Sequence, residues 1–333
     1  SKGLPLDLFF FLLVMALLTI GLVMCFSASF VWGFYRENGD SYYYIKKQLG
    51  FALLGLSAMF FVSRMNYNVL RIFAYGLYAF SLILLVLALF IGEGETRRWI
   101  VILGVRFQAS EIAKLGVIMC LSLYMSVNYN KMKTLLYGII IPGLIVGVPM
   151  ALIVIEPHLS GTILVGGVGA ILIFVGGASM KYITPIIGTA AVGGTVAVIK
   201  LGNYMSDRIK IWLNPFSDPQ GDGFQTIQSL FAIGSGGLFG LGLGRSKQKY
   251  LYIPEPQNDF IFAIVCEELG FIGALIIITL FVLLIFRGYQ IALSSPDKFG
   301  FFLVVGIMTR IALQTVLNIC VVTNTIPVTG ISL

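Results

Sequence analysis

Nine apolar runs recur along the 333-residue chain, at 8–29, 48–63, 70–91, 110–127, 136–155, 160–178, 183–199, 260–286 and 300–323. Crossing the hydrocarbon of a bilayer takes about 20 such residues in a helix, and only helices or closed barrels satisfy every backbone N–H and C=O there. This pattern excludes a soluble domain: 58% of residues are hydrophobic, 11% are charged and the mean hydropathy is +0.95. The chain is therefore expected to be an all-α polytopic membrane protein. Its second run holds only 16 residues and is expected to reach back over Lys46 and Lys47, whose long stems carry their ammonium groups to the interface. The first run is too long for a signal-peptide core and lacks a clear small-residue cleavage site, so it is expected to remain as a span.

Connections between the runs are short except for 200–259, which is the main extramembrane feature. Orientation follows the Lys/Arg content of short loops. With the N-terminus inside, the inner loops hold Lys2, Arg64, Arg71, Lys131, Lys133, Lys181, Arg287 and Lys298, and the outer ones Arg36, Lys46, Lys47, Arg97, Arg98 and Arg106. The excess favours a cytoplasmic N-terminus. The long loop adds Lys200, Arg208, Lys210, Arg245, Lys247 and Lys249 to the outer side. The net charge of +7 is scattered through membrane loops, so no nucleic-acid partner is expected. Outward cations suit membrane lipid headgroups or an anionic lipid ligand.

Cys25, Cys120, Cys266 and Cys320 all lie in apolar runs and read as small hydrophobes. His158 is the only histidine, which leaves acid–base chemistry to carboxylates. Glu111 and Lys114 are three apart at a helix start and can pair on one face; alternatively, Lys114 faces a phosphate-bearing ligand together with Arg97 and Arg98. Glu156-Pro157-His158 breaks the apolar sequence at a membrane edge. The stretch Asp207–Trp212 is amphipathic and suited to a membrane surface. Gly234 to Gly244 is rich in glycine but lacks a Gly-Lys-Ser/Thr ending, which rejects a P-loop; flexible re-entry at the membrane surface is its expected role, with backbone amides cradling a diphosphate as the alternative. Asp259 sits where the long loop meets the eighth run. Glu267 and Glu268 follow within it, about 12 to 14 Å along a helix, where charge is costly unless paired. Arg310 reaches a similar depth on the ninth run, so one of the glutamates is expected to pair with it, leaving Asp259 available for chemistry.

Several of these residues form an ordered set: Arg98-Trp99; Gln108, Ser110, Glu111 and Lys114; Glu156-Pro157; Gly223-Phe224-Gln225 with Gln228-Ser229-Leu230; Ala232 to Gly237; and Asp259 to Ala263 with Glu267-Glu268-Leu269-Gly270. The set covers nearly the whole chain and closely resembles the SEDS family (shape, elongation, division and sporulation), the family of RodA, FtsW and SpoVE, and most of all its FtsW/SpoVE branch. Ala109 stands where the family commonly has proline, His158 where it commonly has aspartate, and Gln257-Asn258 where His-Thr is common.

The resemblance implies a single SEDS transmembrane domain over 1–333 with a large extracytoplasmic loop at 200–259. It also implies ten spans, so a final helix is expected beyond the nine visible runs. The implied setting is the bacterial cytoplasmic membrane, and the implied activity is a peptidoglycan glycosyltransferase that polymerises lipid II alongside a class B penicillin-binding protein. Making a β-1,4 link from an α-linked diphosphate donor requires inversion and a base for the acceptor hydroxyl. Asp259 is the residue that the family treats as catalytic. Neutralisation of the leaving diphosphate falls to cationic side chains or a divalent cation such as Mg2+ or Mn2+. Arg98, Lys114, Arg208 and Arg245 are the ranked candidates for contacting it, with Lys46, Lys47 and Gln225 as further substrate-binding candidates. Glu111, Glu267, Glu268 and Arg310 are assigned to structural ion pairs. Two rival readings stay open: a lipid II flippase or transporter, and a non-catalytic scaffold for the transpeptidase.

Overall fold

The computed structural model describes residues 7–92, 99–102, 105–156, 158–185, 209–221, 223–250, 258–328, 330 and 333. Among them, seven helices are long and apolar enough to cross a membrane. Helix α1 (Leu8–Arg36) begins where the Asp7 side chain accepts from the Phe10 amide at 2.9 Å and ends on Arg36, a cation at the helix C-terminus. Helix α2 (Tyr43–Arg64) takes in Lys46 and Lys47, as its short apolar run requires, and none of its residues is buried. Helix α3 (Asn68–Ile91) is followed by a feature that the all-α expectation lacks, an antiparallel hairpin of β1 (Trp99–Ile102) and β2 (Val105–Gln108) pairing Trp99 with Gln108 and Ile102 with Val105. Trp-Ile-Val-Ile and Val-Arg-Phe-Gln carry the aromatic and β-branched residues that strands favour. Then come α4 (Ala109–Asn128), α5 (Ile141–Ile155, entered through one π turn at Leu136–Ile140) and α6 (Leu159–Val175). The seventh run, 183–199, and parts of 200–259 lie outside the described residues. The long loop contributes α7 (Phe224–Gly236), and α8 (Ile261–Leu293) and α9 (Lys298–Val322) complete the order.

The chain divides into two compact units. The first comprises Ser1–Arg64, Val196–Phe286 and Gln314–Leu333, and the second Met65–Thr195 and Arg287–Leu313. In the second unit α4 is the central helix, with Ala109, Ala113, Val117, Leu121 and Met125 all buried. A Cβ on Gly116 would stand 3.0 Å from Ser81 Oγ and 3.3 Å from Tyr78 Cα. That small residue is what lets α3 and α4 approach closely, the usual basis of helix association in lipid.

The first unit is built around an interruption in α8. Gly270 sits at φ 69°, ψ −170°, so the helical ladder fails on both sides of it. The segment after α7 fills the gap. Leu241 and Gly242 amides donate to the Glu267 and Glu268 carbonyls at 2.9 and 3.0 Å, while Phe271 and Ile272 amides donate to the Gly237 and Leu238 carbonyls at 2.9 and 3.1 Å. Unpaired backbone groups are expensive in a membrane, so each freed group is taken by the crossing segment. The glycine run expected as a surface re-entry is thus the backbone partner of a broken helix. A Cβ on Gly240, itself at φ +79°, would lie 2.2 Å from the Glu268 carbonyl oxygen. Gly240→Ala is expected to destabilise the protein by more than the roughly 1–3 kcal/mol of the backbone conformation alone, seen as a lower thermal midpoint in detergent. An unchanged midpoint would contradict this packing.

Candidate functional site

Glu267 and Glu268, both fully buried, face the segment just described. Glu268 accepts from Ser27 Oγ on α1 at 2.7 and 2.8 Å and pairs with Lys249 Nζ at 3.1 Å; Lys249, only 4% exposed, also donates to the Gly244 carbonyl at 2.7 Å. Glu267 accepts from Ser246 Oγ at 2.5 Å and from the Lys247 amide at 2.8 Å. The expected pairing of one of these glutamates with Arg310 is corrected: the cation is Lys249, and Arg310 bonds to Glu111. The error has a physical source. Depth along two helices says nothing about a cation carried in by a loop, and Lys249 reads in sequence as one more outward charge.

Asp259 is half-buried, two residues before α8, beside the buried Phe260 and Phe262. Its carbonyl accepts from Asn318 Nδ2 of α9 at 2.8 Å. The other pieces of the long loop are tied to the same end of α9. Trp212 and Asn324 exchange bonds, Trp212 Nε1 to the Asn324 carbonyl at 3.0 Å and Asn324 Nδ2 to the Trp212 carbonyl at 3.1 Å, and Ser229 Oγ donates to the Val322 carbonyl at 2.8 Å. Sequence reasoning missed Asn318 and Asn324. A polar residue inside an apolar run was the available signal.

Of the expected ligand-binding residues in the first unit, Arg245, Lys46 and Lys47 are exposed and Gln225 is half-buried in the first turn of α7. Lys46 pairs with Asp40 at 2.9 Å, and that bond holds the Asp40 carboxyl below the usual carboxylate range. Lys47 lies over the Tyr43 ring. Arg97, Arg98, Arg208 and Gln257 lie outside the described residues.

The second unit holds its own polar cluster. Glu111 takes Lys114 Nζ at 2.5 Å on one oxygen and Arg310 Nη2 at 2.6 Å on the other. Lys114, expected either to pair or to face a ligand, is 5% exposed and bonded to Glu111. His158 is buried within reach of Ser110 Oγ and Gln108 Nε2, both 3.3 Å from Nδ1. Glu156 is 1% exposed, and neither carboxylate oxygen has a hydrogen-bond partner among the described residues. Burial pushes this carboxyl up to about 7. A raised folded-state value means that the fold binds the proton more tightly than the unfolded chain does. The Glu156 contribution to stability is therefore full at acid pH and falls as pH rises from the ordinary carboxylate range through 7. Glu156→Gln is expected to remove that decline, read as thermal midpoints between pH 5 and 8; parallel curves for the two proteins would refute it.

Among the described residues, no three His, Cys, Asp or Glu side chains gather as a metal-holding set.

Comparison with known proteins covers the whole chain. A family model described as "Cell cycle protein", for FtsW, RodA and SpoVE, matches residues 7–333. Stage V sporulation protein E of Bacillus subtilis (strain 168) is 44% identical over 333 residues, 98% of this chain and 90% of that one. A probable peptidoglycan glycosyltransferase FtsW of Trichlorobacter lovleyi is 37% identical over 331 residues, covering 98% and 86%. Among solved structures, one described as "Structural coordination of polymerization and crosslinking by a peptidoglycan synthase complex" superposes with a TM-score of 0.80 at 27% identity, over 99% of this chain and 91% of that one. The crystal structure of the Thermus thermophilus rod shape determining protein RodA gives 0.70 at 25%, over 100% and 90%. Matched over residues 7–333 by the family model and at 44% identity by a relative, the chain belongs to the FtsW/RodA/SpoVE family of cell cycle proteins.

Proposed function

We propose that this protein is a peptidoglycan glycosyltransferase that polymerises lipid II at the outer face of the bacterial cytoplasmic membrane, with Asp259 as the general base. The observation that carries the reading is Asp259 itself, a carboxylate at the seam between the long loop and α8, with its backbone fixed by Asn318. The names of the FtsW relatives support the activity. In the reaction the acceptor hydroxyl passes its proton to the Asp259 carboxylate as its oxygen attacks the anomeric carbon. The bond from that carbon to the diphosphate oxygen breaks, the leaving lipid diphosphate keeps the electron pair, and configuration inverts. Arg208 and Arg245 are assigned to the diphosphate, with Arg98 beside them in rank, and Lys46, Lys47 and Gln225 to the rest of the substrate; Lys114 is left to its bond with Glu111.

The same reading makes residues 1–333 one SEDS domain with a cytoplasmic N-terminus, nine spans in this sequence and an outer loop at 200–259. Its partner is a class B penicillin-binding protein, in keeping with the peptidoglycan synthase complex that the fold resembles. A flippase reading draws on one observation, the buried charged residues Lys114 and Glu156 of the second unit. Purified protein given lipid II, with and without the class B partner, separates the two. Glycan polymer supports the enzyme, whereas lipid scrambling in liposomes without polymer overturns it.

A further inference from the structure

Asp259 is approached from two sides by the last part of α9 and the residues after it. On the backbone side, Asn318 is fully buried and its amide nitrogen donates to the residue 259 carbonyl at 2.8 Å. On the side-chain side stands Gly330, exposed and at φ +65°, where an added Cβ would lie 3.3 Å from Asp259 Oδ2. The turn that ends α9 is held by hydrogen bonds. The Thr325 amide donates to the Cys320 carbonyl at 2.8 Å, which reverses the chain at the end of α9. Asn324 holds φ +56° within the turn, pinned by its two bonds with Trp212. Beyond this turn, Gly330 stands beside the residue 259 side chain.

The geometry points to Asn318 and Gly330 as positioning residues for the Asp259 carboxylate. Asn318 fixes where the main chain of residue 259 lies. Gly330 keeps carbon away from the flank of Oδ2, on the exposed side from which an acceptor hydroxyl approaches. Glycine meets both demands there. Any side chain brings a Cβ against the carboxylate, and most also resist a left-handed backbone. Asparagine tolerates that backbone but still carries the Cβ, which separates the two effects.

This inference rests on the reading of Asp259 as base, and its test is arranged to fail separately. Steady-state polymerisation of lipid II is measured for the full-length chain with its class B partner as wild type, Gly330→Ala, Gly330→Asn and Asp259→Ala. Both Gly330 variants are expected to lose about tenfold or more in kcat, since a misplacement of about 1 Å can cost 10²-fold, with KM for lipid II little changed. Wild-type kcat in Gly330→Ala, a loss confined to KM, or recovery in Gly330→Asn alone overturns the inference, the last because it assigns the loss to backbone strain. If Asp259→Ala still polymerises, the base assignment falls; if Asp259→Ala is inert and Gly330→Ala is normal, the positioning role alone falls. Asn318→Leu, which keeps the volume and removes the donor, is expected to show the same kcat loss with lipid II binding retained; unchanged kcat in a folded Asn318→Leu protein counts against it.

Discussion

Asp259→Ala protein is expected to fold, to bind its class B partner and to make no measurable glycan polymer from lipid II. General base catalysis contributes about 10²–10⁴-fold, and loss at the upper end of that range puts turnover below detection in most product assays. The fold should tolerate the change. Asp259 is half-buried rather than core, and the bond from Asn318 goes to its backbone carbonyl, which alanine retains. Asp259→Asn tests the same point with almost no change of shape, because the amide accepts no proton at neutral pH. Asp259→Glu moves the carboxylate by one methylene and should restore only part of the rate. Polymer from the alanine protein at the wild-type rate would end the assignment.

The second large effect concerns stability. Lys249→Met is expected to cost about 3–5 kcal/mol, the range for stranding one member of a buried ion pair. Its loss leaves the Glu268 carboxylate fully buried and served, among the described residues, by the hydroxyl of Ser27 and the Ser246 amide. Thermal unfolding in detergent measures the loss. The double variant Lys249→Met with Glu268→Gln should recover much of it, since no charge is then stranded. Equal midpoints for wild type and Lys249→Met would show that the pair contributes nothing. The exposed Lys46–Asp40 pair makes a control: solvent screens it, and Lys46→Met should scarcely matter.

The helices were legible because membrane crossing is a local property. Some 20 apolar residues in a row carry the signal whatever surrounds them, and even the extension of α2 over Lys46 and Lys47 followed from its length. The Glu111–Lys114 pair was legible too, as an i, i+3 contact within one helix. What stayed hidden depends on segments far apart in sequence. The partners of Glu268 come from α1 and from the loop before α8, and no periodicity links Ser27, Lys249 and Glu268. The break at Gly270 was hidden for the same reason. A lone glycine in an apolar run is commonplace, and its meaning depends on Gly240 standing against it. The β1–β2 hairpin was overlooked because eight residues beside long helices were read only as a connection.

Helix α2 has no buried residue along its 22 positions, although Phe60 meets Phe11 of α1 with ring centroids 6.1 Å apart. Its apolar stretch of 16 residues, 48–63, is about 24 Å long at 1.5 Å per residue, shorter than a hydrocarbon layer of about 30 Å. In a membrane a shortfall of this size is met by snorkelling of flanking cations, here Lys46, Lys47 and Arg64, or by local thinning of the bilayer. Bilayer thickness is therefore expected to act directly on this helix, with lipids of shorter acyl chain as its match.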